Sequence, residues 1–171
     1  MLEANVFLGV LDESDVEWLV ANSKPHEVAT GTVIIRRGEP IEHLYLIVDG
    51  AFDVIVSTPE PRHIATLYSG ELAGEMSFVD LYPPSATVTA GMPSRVLAIV
   101  KSALVEKIAS DPGFGTRFYK GVSVLLAGRL RAAYSIGNRP LSVADSQLEL
   151  STLKMRYEEI LGRLGQRGHA I

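Results

Sequence analysis

Residues 70–90 read G-E-L-A-G-E-M-S-F-V-D-L-Y-P-P-S-A-T-V-T-A. Gly70 and Gly74 bound a turn in which the backbone is free to adopt tight conformations. A short helix is expected to begin near Gly74–Glu75 and to run through Met76, Ser77, Phe78 and Val79. Past Pro83–Pro84, a β-prone run starts with Ser85, Ala86, Thr87, Val88 and Thr89. A helix N-terminus carries N–H groups without intrahelical partners. Facing a strand that opens on small hydroxyl residues, it suits a phosphate.

Outward from this stretch, the chain from His26 to Val100 breaks into short β-prone runs separated by turn residues. The runs are His26–Thr30, Thr32–Arg36, His43–Val48, Ala51–Ser57, Arg62–Tyr68, Ala86–Ala90 and Arg95–Val100. Asp49–Gly50, between two apolar runs, is the strongest hairpin signal. Short strands without long helices between them predict a sandwich, roll or barrel rather than a parallel α/β sheet.

A second framework precedes the first. It reads Gly31-Thr32-Val33-Ile34-Ile35, then Gly38, then Leu44-Tyr45-Leu46-Ile47-Val48-Asp49-Gly50. Both patterns, in this order, resemble the cyclic nucleotide-binding domain, the family of the catabolite activator protein and the kinase regulatory subunits. That family writes its phosphate-binding cassette roughly as G-E-x-x-G-E-x, a short helix, then P-R-S/A-A-T/S-V. Gly70, Glu71, Gly74, Glu75, Pro83, Ser85, Ala86, Thr87 and Val88 match. The resemblance covers most of residues 25–100. It implies a mainly β fold, an antiparallel β-roll of jelly-roll type with flanking helices.

The resemblance also implies a site. Glu75 falls where the family's glutamate accepts a hydrogen bond from the ribose 2′-hydroxyl. Gly74 and Met76 would present backbone groups to the ligand. Ser85 and Ala86 match the positions whose hydroxyl and N–H touch the cyclic phosphate, and Thr87 completes the motif. The implied ligand is a cyclic mononucleotide such as cAMP or cGMP. One position departs: the family's phosphate-binding arginine falls on Pro84. An arginine there would make a charge-assisted, often bidentate bond, and proline has no N–H to offer in its place. Native affinity for cyclic nucleotides is therefore expected to be weak or absent. Arg62, ahead of Ile64–Tyr68, is either a surface charge or a cation reaching in from another loop.

Other chemistries are poorly served. A metal-binding cupin needs two histidines as H-x-H, and here His43 is followed by Tyr45; His26, His63 and His169 are scattered. No G-x-S-x-G, Walker or H-E-x-x-H sequence occurs, so no enzyme, metal or cofactor is expected. The chain has no cysteine, which removes disulfides and thiolate metal sites. No window has the roughly 18 unbroken apolar residues of a membrane span. Met1–Val10 lacks a basic segment and a cleavage motif, so a cytoplasmic protein is expected. The net charge of -4 argues against nucleic acid as the main partner. Too few residues follow Ser135 for a winged helix-turn-helix.

Helices flank the roll. Residues 1–24 form an N-terminal helical segment, with Asp12 as cap and Asp15 in its first turn. Residues 101–136 form helices that close the domain. Ser102 is expected to cap the first; Asp111–Pro112 opens the second, which carries Phe114, Phe118, Val122, Leu125, Leu126 and Leu130 at helical spacing. Arg129 and Arg131, with Lys120, read as a solvated face. The stripe Phe118, Val122, Leu125, Leu126, beside Gly121, Gly128 and Ala132, predicts a homodimer through this helix. The alternative is that the amphipathic segment Leu141–Leu164, in the extension 137–171, covers the stripe within one chain. Two functions remain: a regulatory cyclic nucleotide sensor without a DNA-binding domain, or a protein-interaction and dimerisation module that kept the fold but not the ligand. In either, the C-terminal helices are candidate contacts for a protein partner.

Overall fold

Along His43–Asp49 the side chains alternate between two apolar environments, and this alternation sets the architecture. Leu44, Leu46 and Val48 face one hydrophobic cluster; Tyr45 and Ile47 face another. A strand buried on both faces explains why this run is apolar without interruption. A computed structural model describes residues 6–57, 59–134 and 162.

The order is α1 (Val6–Val10), α2 (Glu13–Ala21), β1 (Ser23–Val28), β2 (Val33–Ile35), β3 (His43–Asp49), β4 (Ala51–Ser57), β5 (Pro61–Tyr68), β6 (Leu72–Ala73), α3 (Glu75–Val79), β7 (Thr87–Ala90), β8 (Ser94–Val100), α4 (Lys101–Ser110) and α5 (Pro112–Tyr134). The strands make two four-stranded sheets, ordered β1-β8-β3-β6 and β2-β7-β4-β5. All pairings are antiparallel. The fold is thus the expected β-roll with flanking helices.

Between the sheets, Val28, Ile35, Ile47, Phe52, Leu67, Val88 and Val96 fill the roll. Outside the first sheet, Leu46, Leu72, Leu97 and Ile99 meet the helices through Phe7, Leu8, Leu11, Phe114 and Phe118. Burying each such side chain fully contributes about 1.5–3 kcal/mol, so the helices are part of the core. The β3–β4 turn needs its glycine: Gly50 has φ +95°, and a Cβ there would lie 2.1 Å from Ser94 Oγ.

Several boundaries differ from the sequence reading. β1 starts at Ser23, ahead of Pro25, because Pro25 pairs with Leu97 at the sheet's edge, where a missing N–H is tolerated. α4 starts at Lys101 with Val100 as N-cap, so Ser102 lies inside the helix. The helical segment expected over residues 1–24 contains a separate short helix, α1, ahead of the Asp12 cap, and strand β6 was not expected; both are too short for periodicity to reveal. α2 has the expected Asp12 cap, completed as a reciprocal box with Asp15. Asp111 Oδ1 accepts from the Phe114 N–H at 3.0 Å, which caps α5 as expected. The segment Leu141–Leu164 lies outside the described residues.

The stripe proposed for dimerisation is used within the chain. Phe118, Val122 and Leu125 are buried against the rest of the domain. Gly121 does allow a close approach, but by α1: a Cβ there would lie 2.8 Å from Phe7 Cδ2 and 3.1 Å from Phe7 O.

Candidate functional site

The turn between β5 and α3 positions the cassette. Gly70 and Gly74 have φ +88° and +91°, a region that favours glycine. The Gly70 N–H donates to Ile47 O at 2.8 Å, and the Ile47 N–H donates to Glu71 O at 3.0 Å, so the turn is stitched to β3. β6 then pairs Ala73 with Tyr45. Burial holds the Tyr45 phenol above its ordinary pKa. Gly74 is the N-cap of α3, and its carbonyl accepts from the Phe78 N–H.

Glu75 enters the first turn of α3 and is 4% exposed. A buried carboxylate needs a partner, and it has one 54 positions further along the chain. Arg129, on α5, donates through Nη1 to Glu75 Oε1. The same guanidinium reaches Leu72 O at 2.7 Å and Glu71 Oε1 at 3.5 Å through Nη2. Glu71 also accepts from the Tyr68 N–H at 2.8 Å, which fixes it over the turn. Arg129 Nε is buried and has no acceptor among the described residues. The solvated helix face read for Arg129 is therefore incorrect: its side chain ties α5 to the cassette. Helical spacing gave no signal for this, because the pairing joins residues 54 positions apart.

The other expected site residues sit as follows. Met76 is half exposed. Ser85 is exposed, and Ala86 and Thr87 are partly buried ahead of the buried Val88. Thr87 Oγ1 accepts from the Arg37 N–H at 3.2 Å. Pro84 is buried, and its carbonyl accepts from the Gly38 N–H at 2.9 Å. The two sequence frameworks thus meet at the cassette: the loop after β2 lies along the segment entering β7. Arg62 is exposed on β5 opposite Val56, an outer position of the second sheet. Arg37, not singled out from the sequence, lies nearer the cassette, with Nη1 donating to Ser57 O at 2.6 Å.

α3 is tied at its other end as well. Lys101 Nζ donates to Ser77 O at 3.1 Å, and its desolvation there lowers the Lys101 pKa. After the helix, Leu81 takes a left-handed conformation, φ 61°, and Tyr82 N–H donates to Asp80 Oδ1 at 3.0 Å. Leu81 and Tyr82 project into solvent. A surface depression lined in part by Glu27, Ser94 and Arg95 shares no residue with the cassette.

A family model described as the cyclic nucleotide-binding domain matches residues 25–111. A CRP-like cAMP-activated global transcriptional regulator of Mycobacterium tuberculosis (strain CDC 1551 / Oshkosh) is 26% identical over 133 residues, covering 77% of this chain and 57% of the regulator. The Pycsar effector protein BcPycTIR of Burkholderia cepacia is 36% identical over 104 residues, 60% of this chain and 33% of the effector. The chain thus spans only part of each of these relatives. Among solved structures, a cyclic nucleotide-binding domain from Methylobacillus flagellatus KT superposes with a TM-score of 0.70 at 23% identity, covering 81% of this chain and 86% of that one.

Proposed function

Because the chain belongs to the cyclic nucleotide-binding domain family, we propose that it acts as a regulatory sensor: a small ligand held in the cassette sets the position of α5. One observation carries this reading. Glu75, which the family uses on the ribose, is buried in the cassette and held by Arg129 of α5. A ligand that engages Glu75 competes with, or reinforces, a bond to α5. Two arrangements of α5 with different ligand affinity are all that a sensor requires. The module binds rather than catalyses. A cytoplasmic setting fits both this role and the absence, among the described residues, of a helix long and apolar enough to cross a membrane.

A homodimer remains part of the proposal, through a different face of α5. Tyr119, Ser123, Leu126, Leu130 and Ala133 repeat by four and three residues, the spacing of a two-helix seam. Tyr119 and Leu130 are exposed, while Leu126 is partly buried. Arg129 lies beside this seam in sequence, so pairing of two α5 helices and ligand state in the cassette would be linked.

Calorimetric titration with cAMP and cGMP tests the ligand reading. The native chain should bind weakly or not at all, and Pro84→Arg should strengthen binding by about ten- to a hundredfold, one charge-assisted hydrogen bond. Native binding at micromolar Kd or tighter would contradict the weight placed on Pro84. A folded Pro84→Arg variant with no gain would show that the cassette has diverged beyond that residue.

A further inference from the structure

We propose that the chain's own segment Leu141–Leu164 docks on the exposed apolar face of α3 and the loop after it, which anchors the residues beyond α5 on the outside of the cassette. The docking does not require that the cassette hold a ligand.

The face is built from neighbouring elements. Met76 and Val79 lie one turn apart on α3 and are about half exposed, while Glu75 and Phe78 beside them are buried. In the loop that follows, Leu81 is 86% and Tyr82 72% exposed. Leu81 holds φ 61°, in the left-handed region that a leucine rarely enters. Val105 on α4 extends the face. It is exposed and lies one turn beyond Lys101, whose Nζ reaches Ser77 O of α3. Single apolar side chains scattered over a surface are ordinary, but a group of them on adjoining elements marks a contact.

The occupant follows from where α5 ends and from the apolar row that comes after it. Along α5, Tyr119 stacks on Phe78 at 6.3 Å, and Arg129 bonds Glu75. Helix α5 therefore passes α3 in the opposite sense and ends at Tyr134, beyond the first turn of α3. Gly137-Asn138-Arg139-Pro140 is a turn signal. A chain that reverses there heads back along α3 from Glu75 toward Val79, Leu81 and Tyr82. Leu150, Leu153, Tyr157, Ile160 and Leu164 repeat by three and four residues, the pattern of a helix with one apolar side. At 1.5 Å per residue the segment spans about 35 Å, ample for α3 and its loop. The stripe of α5 is closed to that row, because α1 and the first sheet already fill it. A second copy carries the same row, but the short connection after Tyr134 holds the chain's own segment at an effective concentration on the order of millimolar.

The chain has no cysteine, so Ser102→Cys, exposed in the first turn of α4, carries a single nitroxide beside the face. Full-length, isotope-enriched chain bearing the nitroxide, diluted into excess plain chain, reports contacts within one molecule. Amide signals of residues 150–164 should broaden along with those of residues 76–82. Leu81→Ser combined with Tyr82→Ser alters only solvent-exposed side chains and is checked by circular dichroism. It should abolish the broadening of residues 150–164, whereas Leu130→Glu on α5 should leave it. No broadening of residues 150–164 in the diluted sample overturns the proposal. Broadening seen only when enriched chain is mixed with separate nitroxide-bearing chain overturns it too, and assigns the face to a second copy. Broadening that survives the double substitution, or that Leu130→Glu removes, places the segment elsewhere and overturns it as well.

Discussion

At the residue scale, the electrostatics of the chain divide between two arginines. Arg129 fastens the cassette to α5. Arg117 fastens α5 to the N-terminal helices, with Nε 2.5 Å from Asp15 Oδ2 and Nη2 2.8 Å from Asp15 Oδ1. Asp15 is 1% exposed, so Arg117→Ala leaves a buried carboxylate without its cation. The variant should unfold at a clearly lower denaturant midpoint with an unchanged m-value. Asp12 and Asp111 belong to the same cluster. The Ser14 hydroxyl and the Asp15 N–H, then Arg117, hold the Asp12 carboxyl below its ordinary pKa; Lys107 and the Phe114 N–H do so for Asp111. A carboxyl whose folded pKa is depressed adds stability that is complete above its unfolded value. That stability is lost as pH falls through the folded value. The thermal midpoint should therefore be level above about pH 5 and fall below about pH 4. Asp111→Asn should flatten that acid limb; an unchanged slope would remove Asp111 from the cause. Of these residues, the sequence showed the caps Asp12 and Asp111, whose partners are local. It hid Arg117 and Arg129, whose partners lie 102 and 54 positions away.

At the scale of elements, α5 shows why periodicity names a helix more readily than it names the helix's partner. The spacing of Phe114, Phe118, Val122 and Leu125 correctly gave a buried stripe, but a stripe does not say what covers it. In the structure α1 and the first sheet cover it, with Phe7 and Phe118 edge to face at 5.5 Å. Helix α1 was not legible because five residues span little more than one turn. Two substitutions separate the faces. Gly121→Ala places a methyl against Phe7 and should cost about 1–3 kcal/mol of stability without changing oligomeric state. Leu130→Glu, on the exposed seam, should leave stability within about 0.5 kcal/mol per protomer and shift the mass seen by light scattering from twice 18.5 kDa toward 18.5 kDa. Leu125→Glu is not a clean test of dimerisation, because Leu125 is 2% exposed and its loss disrupts the core. A native chain that is monomeric across the micromolar range would dismiss the seam.

At the scale of the whole molecule, the roll was readable because its signals are local. They are a hairpin at Asp49–Gly50, strands bounded by glycine and proline, and a cassette written in one continuous stretch. The coupling of that cassette to the rest was not readable, since it depends on α5 returning past β6 and α3. If the cassette is a ligand site, its state should be felt by α5 through Glu75 and Arg129. Backbone NMR of Pro84→Arg, titrated with cAMP, tests it most directly. Amide shifts should concentrate in residues 70–90, with a second set in α5 centred on Arg129 that Glu75→Gln abolishes. Shifts confined to the surface outside residues 70–90, or cassette shifts with an α5 that does not respond, would contradict it.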